Sequence, residues 1–169
     1  MENPVGPGWA DPETGSFNDP RPLGRDKRPY GPLPRAWAQF KGTYAYGDQT
    51  VIAYTVGDAS ILEVEGAEQH AVFTRTLEIG KSSRDLLARI APEAAAVAIV
   101  GDKAASLAKQ DGFHILKIPT SATPTRVKVL MANGTADLAA LAKTTPAPRP
   151  LKPLTEGRDF FKSATLLHA

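Results

Sequence analysis

Apolar and polar positions alternate most regularly between residues 43 and 79, and this period of two predicts β-structure. Residues 43–46 and 50–56 are rich in β-branched and aromatic side chains and flank Gly47-Asp48, which is typical of a β-hairpin. Gly57-Asp58 indicates a second turn, and a short strand is predicted after it at residues 60–63. The clearest strand covers residues 71–79.

The strand at residues 71–79 has two different faces, because side chains alternate along a β-strand. Phe73, Leu77 and Ile79 share one face, and Thr74, Thr76 and Glu78 share the other. Arg75 falls on the apolar face and should point inward, where a guanidinium needs a carboxylate or several carbonyls. Glu63, on the preceding strand, is the predicted partner, and contact with an anionic ligand is the alternative.

The second half of the chain predicts two more strands and contains one ambiguous region. Residues 112–118 and 126–131 alternate, with Val127, Val129 and Met131 facing inward in the later strand. Residues 81–109 fit either type of structure, because Ser82 to Asp85 could form a capping box for a helix that ends at Ala91. Strands are favoured there, since the turns come at the spacing of a β-domain.

The two ends of the chain differ from this pattern. Residues 1–35 hold eight of the fifteen prolines, so no regular ladder of strand hydrogen bonds is expected there. The large apolar side chains of this arm nevertheless suggest that it packs on the core. Thr135 could cap a helix over residues 136–143, with Leu138 and Leu141 on one face. Residues 146–153 should form a stiff proline-rich linker, and residues 158–169 are either a short amphipathic helix or the stub of a longer segment.

These patterns together predict an all-β fold, an antiparallel, sandwich-like domain of about eight strands with one or two short helices. The expected division is a proline-rich arm at residues 1–36, a β-rich domain at 37–143, and a linker and tail at 144–169. The apolar pattern covers roughly a hundred residues, which is enough for one hydrophobic core but not for two.

Composition excludes several classes of function. The net charge is +2, and acidic and basic residues are interspersed, so the charge distribution does not indicate nucleic-acid binding. The chain has no cysteine, which excludes disulfides, thiol nucleophiles and Cys-ligated metals. No stretch reaches the ~18 apolar residues of a membrane span. The N-terminus has neither a basic nor an apolar segment, so no export signal is expected in this chain.

Motifs of catalysis are also missing from the sequence. The three histidines are far apart, and no serine lies in a Gly-x-Ser-x-Gly elbow. The oxygen-rich loop at residues 11–19 could hold calcium, but Asx turns explain it without a metal. No catalytic residue, metal or cofactor is therefore predicted. A hydrolase or metal-dependent oxidoreductase with an unrecognised site is kept as an alternative function.

Aromatic residues supply the candidate binding site. Trp and Tyr occur only in the first third of the chain, where aromatic faces could stack on sugars or anchor a protein interface. Packing between the arm and the first hairpin is the alternative explanation. The candidate ligand-binding residues are Trp9, Tyr30, Trp37, Tyr44, Tyr46 and Arg75.

Several motifs also resemble a known family pattern over residues 3 to about 155. They are Asn3-Pro4-Val5-Gly6-Pro7-Gly8-Trp9-Ala10-Asp11-Pro12, the residues 14–17 and 19–26, Tyr30-Gly31-Pro32-Leu33-Pro34-Arg35-x-Trp37-x-x-Phe40-Lys41-Gly42, Tyr54-Thr55-Val56-Gly57 and Phe73-Thr74-Arg75-Thr76-Leu77. The pattern resembles an uncharacterised module of very large exported bacterial proteins. In those proteins the module precedes a glucose/sorbosone-dehydrogenase-type propeller and a c-type cytochrome.

The resemblance implies a setting rather than an activity. It implies a periplasmic or cell-envelope location in a parent protein, with the propeller and cytochrome domains as partners. The expected function is a non-catalytic accessory or interaction module, and carbohydrate binding through the N-terminal aromatic residues is the alternative, with polysaccharide as the partner. Residues 158–169 do not fit the pattern, so a truncated or excised module is expected.

Overall fold

The computed structural model describes residues 7–68, 71–134 and 137–156, except for the side chain of Tyr46, and consists mainly of antiparallel β-strands. The strands are β1 (Ala38–Tyr46), β2 (Gln49–Val56), β3 (Ala59–Glu68), β4 (Val72–Ile79), β5 (Leu86–Pro92), β6 (Ala96–Gly101), β7 (Ser106–Gln110), β8 (Phe113–Ile118) and β9 (Thr125–Ala132). A short helix, α1 (Leu138–Thr144), and a 3-10 turn (Lys152–Thr155) follow.

The strands form two sheets of unequal size. The larger sheet has six strands in the order β1-β2-β3-β4-β9-β6, and the smaller sheet has three in the order β5-β8-β7. All neighbouring strands are antiparallel. The predicted all-β, sandwich-like fold is therefore confirmed. The ambiguous region at residues 81–109 forms β5, β6 and β7 rather than a helix, as the spacing of its turns indicated.

The predicted hairpin is confirmed, but it begins earlier than expected. β1 starts at Ala38 and pairs with β2 up to Tyr46, and a bulge interrupts the pairing between Phe40 and Gly42. Alternation stops at this bulge, because two residues of one strand there oppose one residue of the other. The interruption explains why only the part of β1 after Gly42 has a clear period of two.

The main core lies between the two sheets. Leu77 and Ile79 of β4, with Val127 and Val129 of β9, are fully buried on the inner face of the larger sheet. The opposing surface is the inner face of the smaller sheet, from which Leu86, Ala88, Leu116 and Ile118 pack against them. The inward orientation predicted for Val127 and Val129 is confirmed, and Met131 is partly buried in the same cluster.

A second apolar cluster covers the outer face of the larger sheet. Leu138 of α1 is buried there together with Val72, Leu130 and Ala132, and Leu141 packs beside them. The helix is capped by Asp137, whose Oδ1 accepts a hydrogen bond from the Ala140 N–H at 3.1 Å. The predicted cap, Thr135, lies outside the described residues. Asp137 serves as the cap because its carboxylate reaches the third N–H of this helix.

The proline-rich segment after α1 crosses the same outer face. A Pro148 ring atom lies 3.2 Å from the position that a Cβ of Gly101 would occupy, beside β6. Farther along, the Leu151 N–H donates to Glu78 Oε2 at 2.7 Å, and the Leu151 side chain is buried. The 3-10 turn then contacts β1. Residues 145–156 thus pack on the sheet from one edge to the other, and the tail at 158–169 lies outside the described residues.

The N-terminal arm contacts both faces of the smaller sheet. The Ala10 N–H donates to the Leu87 carbonyl, and the Arg89 N–H donates to the Gly8 carbonyl, so this part of the arm pairs with the edge of β5. The Trp9 side chain enters the main core. On the outer side, the Arg89 guanidinium carbon lies 4.5 Å from the Phe17 ring centroid and 4.6 Å from that of Phe113. This cation–π stack joins the arm to β8.

Candidate interaction surface on the larger sheet

Exposure increases along the inner face of β4. Ile79 and Leu77 are almost completely buried, the Arg75 side chain is 22% exposed, and Phe73 is 51% exposed. All four side chains point to the same side of the sheet, because no irregularity interrupts the pairing of β4 with its neighbours. The smaller sheet therefore covers only one end of this face and leaves the other end open.

The uncovered end has an aromatic centre and a polar border. Phe73 pairs with Ala67 on one side and with Met131 on the other, and Arg75 pairs with Glu65. Ala67 and Glu65 are exposed, and Met131 is half-buried. We name this surface, formed by Glu65, Ala67, Phe73, Arg75 and Met131, the open face.

A hydrogen-bonded network closes the open face on the side of the main core. Glu63 Oε1 accepts a hydrogen bond from Arg75 Nε at 2.5 Å, and Glu63 Oε2 accepts one from the Tyr54 hydroxyl at 2.6 Å. The Tyr54 oxygen accepts in turn from Trp9 Nε1 at 3.1 Å. The predicted pairing of Arg75 with Glu63 is confirmed, and it extends to the arm through Tyr54.

The charges in this network are fixed by burial and pairing. Burial, together with the nearby Glu63 carboxylate, raises the pKa of Tyr54 above its ordinary value, so the phenol stays neutral and can donate. Burial opposes the charge of Arg75, but the hydrogen bond to Glu63 and the attraction of the Glu63 carboxylate together outweigh burial and raise the pKa of the guanidinium. The network therefore holds a cation at the border of an apolar surface.

The predicted binding residues are not all in one place. Trp9 and Trp37 are buried, and Trp37 Nε1 donates to the Trp9 carbonyl at 3.1 Å. Tyr30, in the arm, is 59% exposed. Tyr44 is 43% exposed and pairs with Val51 on the outer face of the larger sheet, opposite to Arg75. The Tyr46 side chain is not among those described.

A separate cleft lies between the arm and the smaller sheet. It has a volume of about 690 Å³, and residues 12–15 of the arm form one wall. The other side carries Arg84, Asp85 and Lys117. Asp85 Oδ1 accepts hydrogen bonds from the Thr120 N–H at 2.7 Å and from the Thr120 hydroxyl at 3.0 Å, and these bonds hold the pKa of Asp85 below its ordinary value. Asp85 thus joins two loops at the rim of the cleft.

The remaining groups with candidate chemistry have structural contacts. His114 is buried, and its Nε2 lies 3.0 Å from the Ala95 carbonyl oxygen. In the oxygen-rich loop, Asp11 accepts hydrogen bonds from the Glu13 N–H and the Thr14 hydroxyl, which is an Asx turn. Within the described part of the chain, no group of three or more metal-ligating side chains comes together.

A family model matches the N-terminal part of the chain. The model of the family described as Domain of unknown function (DUF6797) matches residues 1–63. No curated protein matches the chain. No solved structure matches it either. In the described residues, no helix is long and apolar enough to cross a membrane.

The DUF6797 match covers the arm, β1, β2 and the first half of β3. It therefore contains Trp9, Tyr54 and Glu63, which are three members of the network, and it ends before Arg75. The matched part therefore contains the arm and the first hairpin, whereas β5, which pairs with the arm around Trp9, lies beyond it. The aromatic centre of the open face, Phe73, lies beyond the match.

Two features of this surface do not follow from the sequence. The pattern predicts a strand at Tyr54, but the position of Tyr54 between Trp9 and Glu63 depends on how the arm packs against the sheet. Alternation predicts that Phe73 lies on the inner face, but its exposure depends on the width of the smaller sheet. Alternation gives the side to which a residue points and does not give what lies opposite.

Proposed function

We propose that this chain is a non-catalytic interaction module that docks against a neighbouring domain through the open face. The observation that carries this proposal is the increase in exposure along β4, which ends at a half-exposed phenylalanine on the inner face of a sheet. A large aromatic side chain in that position is stabilised when a partner covers it.

The composition of the open face fits a protein partner. Protein interfaces have an apolar core enriched in aromatic residues, Met and Arg, and they have a polar rim. Here Phe73 and Met131 form the apolar centre, while Arg75 and Glu65 form the border. Because Glu63 already pairs with Arg75, the guanidinium is held in place before a partner binds.

The proposed setting is a larger redox protein of the bacterial envelope. The match to an uncharacterised domain supports the module itself. The motifs shared with large exported proteins support a propeller and a c-type cytochrome as the neighbouring domains. In that setting the module serves as an accessory domain, and the electron-transfer chemistry belongs to its neighbours.

Binding to a separately produced propeller domain tests this proposal. The propeller would be taken from a large exported protein in which the same N-terminal motifs precede it, and binding to this chain would be measured by titration calorimetry. Phe73→Asp should weaken binding at least about tenfold, because it places a charge in the apolar centre of the interface.

Phe40→Asp is the matched control. Phe40 is 66% exposed on β1 of the same sheet and lies outside the open face, so this variant should bind as the unmodified chain does. Absence of binding to both the propeller and the cytochrome domain would contradict the proposal. Equal weakening by the two substitutions would show that the open face is not the docking surface.

Carbohydrate binding is a second candidate, and the exposure of Tyr30 and Tyr44 favours it. Exposed aromatic rings offer faces on which sugar rings can stack. If this candidate is correct, affinity electrophoresis in gels that contain a series of bacterial and plant polysaccharides will retard the chain. Tyr44→Ala or Tyr30→Ala should remove most of the retardation, whereas Phe73→Asp should not. Unchanged mobility in every polysaccharide would eliminate this function.

A further inference from the structure

The edge strand β6 has the sequence of a central strand. Its residues, Ala96-Val97-Ala98-Ile99-Val100-Gly101, include no charged or polar side chain. Val97 and Ile99 pack in the main core, while Ala96, Ala98 and Val100 pack in the outer cluster under α1. Strands that are covered on both faces have near-continuous apolar sequences. Among the described residues, β6 pairs only with β9 and ends the larger sheet.

The other three sheet edges carry protective features. β1 has Lys41 and the bulge next to Gly42, both of which oppose pairing with another chain. β5 is covered by the arm around Trp9. β7 is only five residues long and includes Lys109. β6 lacks a charge, a proline and a bulge, so its edge can accept a further strand.

The pairing with β9 shows which backbone groups of β6 are available. The Asp102 N–H donates to the Arg126 carbonyl at 2.9 Å, and the register is regular from Ala96 to Gly101. Backbone groups in an antiparallel pair point alternately toward and away from the partner strand. The backbone N–H and C=O groups of the even-numbered residues of β6 thus point toward β9. Those of Val97 and Ile99 point toward the free edge.

We propose that β6 is a dimerisation strand that pairs antiparallel with β6 of a second copy of this chain. A two-fold axis that is perpendicular to the sheet and passes midway between the two copies of Ala98 places Val97 opposite the second copy's Ile99. The two residues then exchange N–H to C=O bonds, and the symmetry repeats this exchange on the other side of the axis. The larger sheets of the two copies continue into one sheet with the inner faces on the same side.

Charge and packing favour a second copy over an unrelated strand. Glu93, which pairs with Lys109 of its own chain, is exposed in the turn before β6, and Lys103 is exposed in the turn after it, so the antiparallel arrangement brings these oppositely charged residues to the same end of the dimer interface. This arrangement occurs twice because of the two-fold axis. The apolar side chains on each face of β6 meet identical side chains, and no like charges face each other within the strand. α1 packs over β6 at the sheet edge, so it also borders the added strand.

The proposal is independent of docking through the open face, because the edge of β6 and the surface around Phe73 are different. A chain that dimerises without binding a propeller keeps this inference and loses the proposed function. A chain that binds the propeller but stays monomeric keeps the proposed function and loses this inference. Phe73→Asp should leave the dimer intact.

Analytical ultracentrifugation of the full chain over a range of concentrations tests the dimer. The unmodified chain should change from monomer to dimer as its concentration rises. Val97→Pro removes an outward N–H without removing a bond to β9, so it should raise the dimer dissociation constant at least about tenfold. Val97→Ala is the matched control, because it removes a similar part of the side chain and keeps the N–H, and it should still dimerise.

Three results would overturn the proposal. They are a monomer at all concentrations, a dimer that Val97→Pro leaves unchanged, and equal weakening by both substitutions. Hydrogen exchange of the unmodified chain gives a test that needs no variant, in case Val97→Pro does not fold. The amides of Val97 and Ile99 should exchange more slowly at concentrations where the dimer forms, and exchange that does not depend on concentration would also overturn the proposal.

Discussion

Trp9→Ala is expected to cost about 3–5 kcal/mol in the free energy of unfolding, which is the largest effect of any single substitution in the arm. The Trp9 side chain is 8% exposed and packs in the main core against residues of both sheets. Alanine would leave a cavity between the sheets and would remove the hydrogen bond that Trp9 Nε1 donates to Tyr54. Denaturation by urea, followed by circular dichroism, measures the change.

Tyr30→Ala is the control for the Trp9 prediction. Tyr30 also lies in the arm and is also a large aromatic residue, but it is 59% exposed. Its removal should change the free energy of unfolding by less than about 0.5 kcal/mol. If Trp9→Ala were as mild as Tyr30→Ala, the arm would not be part of the folded core in solution.

The comparison of Trp9 with Tyr30 shows what the sequence could and could not predict about the arm. Prolines predicted an extended segment without a ladder, and apolar side chains predicted contact with the core. Nothing in the pattern separates the two aromatic residues, because both lie between prolines and glycines. The difference comes from β5, whose open edge binds the backbone on both sides of Trp9 and directs its side chain inward.

The larger sheet could be predicted strand by strand, because each of its strands except β6 alternates over several residues. β6 was ambiguous for a physical reason. A strand that packs on both faces has no polar face, so its sequence loses the period of two on which the prediction depends. Only the spacing of the turns favoured a strand there. The property that obscured β6 in the sequence is the one that suggests a dimer in the structure.

The candidate site was predicted in part. The inward orientation of Arg75 followed from alternation, and Glu63 was the predicted partner because a buried guanidinium needs a carboxylate and Glu63 lies on the preceding strand. The aromatic group followed only from sequence proximity, and the fold distributes its members among the core, the arm and the outer face. Proximity along the chain is a weak guide in a β-sheet, where neighbouring residues point to opposite sides.

Arg75→Met is expected to cost about 3–5 kcal/mol, because it leaves the Glu63 carboxylate buried without its cation. The Glu63 side chain is 6% exposed, so water cannot replace the guanidinium that the substitution removes. The matched control is Arg126→Met, which breaks the ion pair of Arg126 with Glu78 on the outer face of the same sheet. The Arg126 side chain is 37% exposed, and the Glu78 carboxylate, which is 12% exposed, still accepts the hydrogen bond from the Leu151 N–H, so that loss should stay below about 1 kcal/mol.

The double variant Glu63→Gln/Arg75→Met separates pairing from packing. A glutamine at position 63 carries no charge and can still accept the hydrogen bond from the Tyr54 hydroxyl. The double variant should therefore be more stable than Arg75→Met alone by about 1–3 kcal/mol, since the uncompensated charge is the main cost. If the two substitutions were simply additive, Arg75 would stabilise the sheet through the packing of its aliphatic part alone. In that case the guanidinium would be free to turn toward a partner at the open face, and the network would not hold it in place.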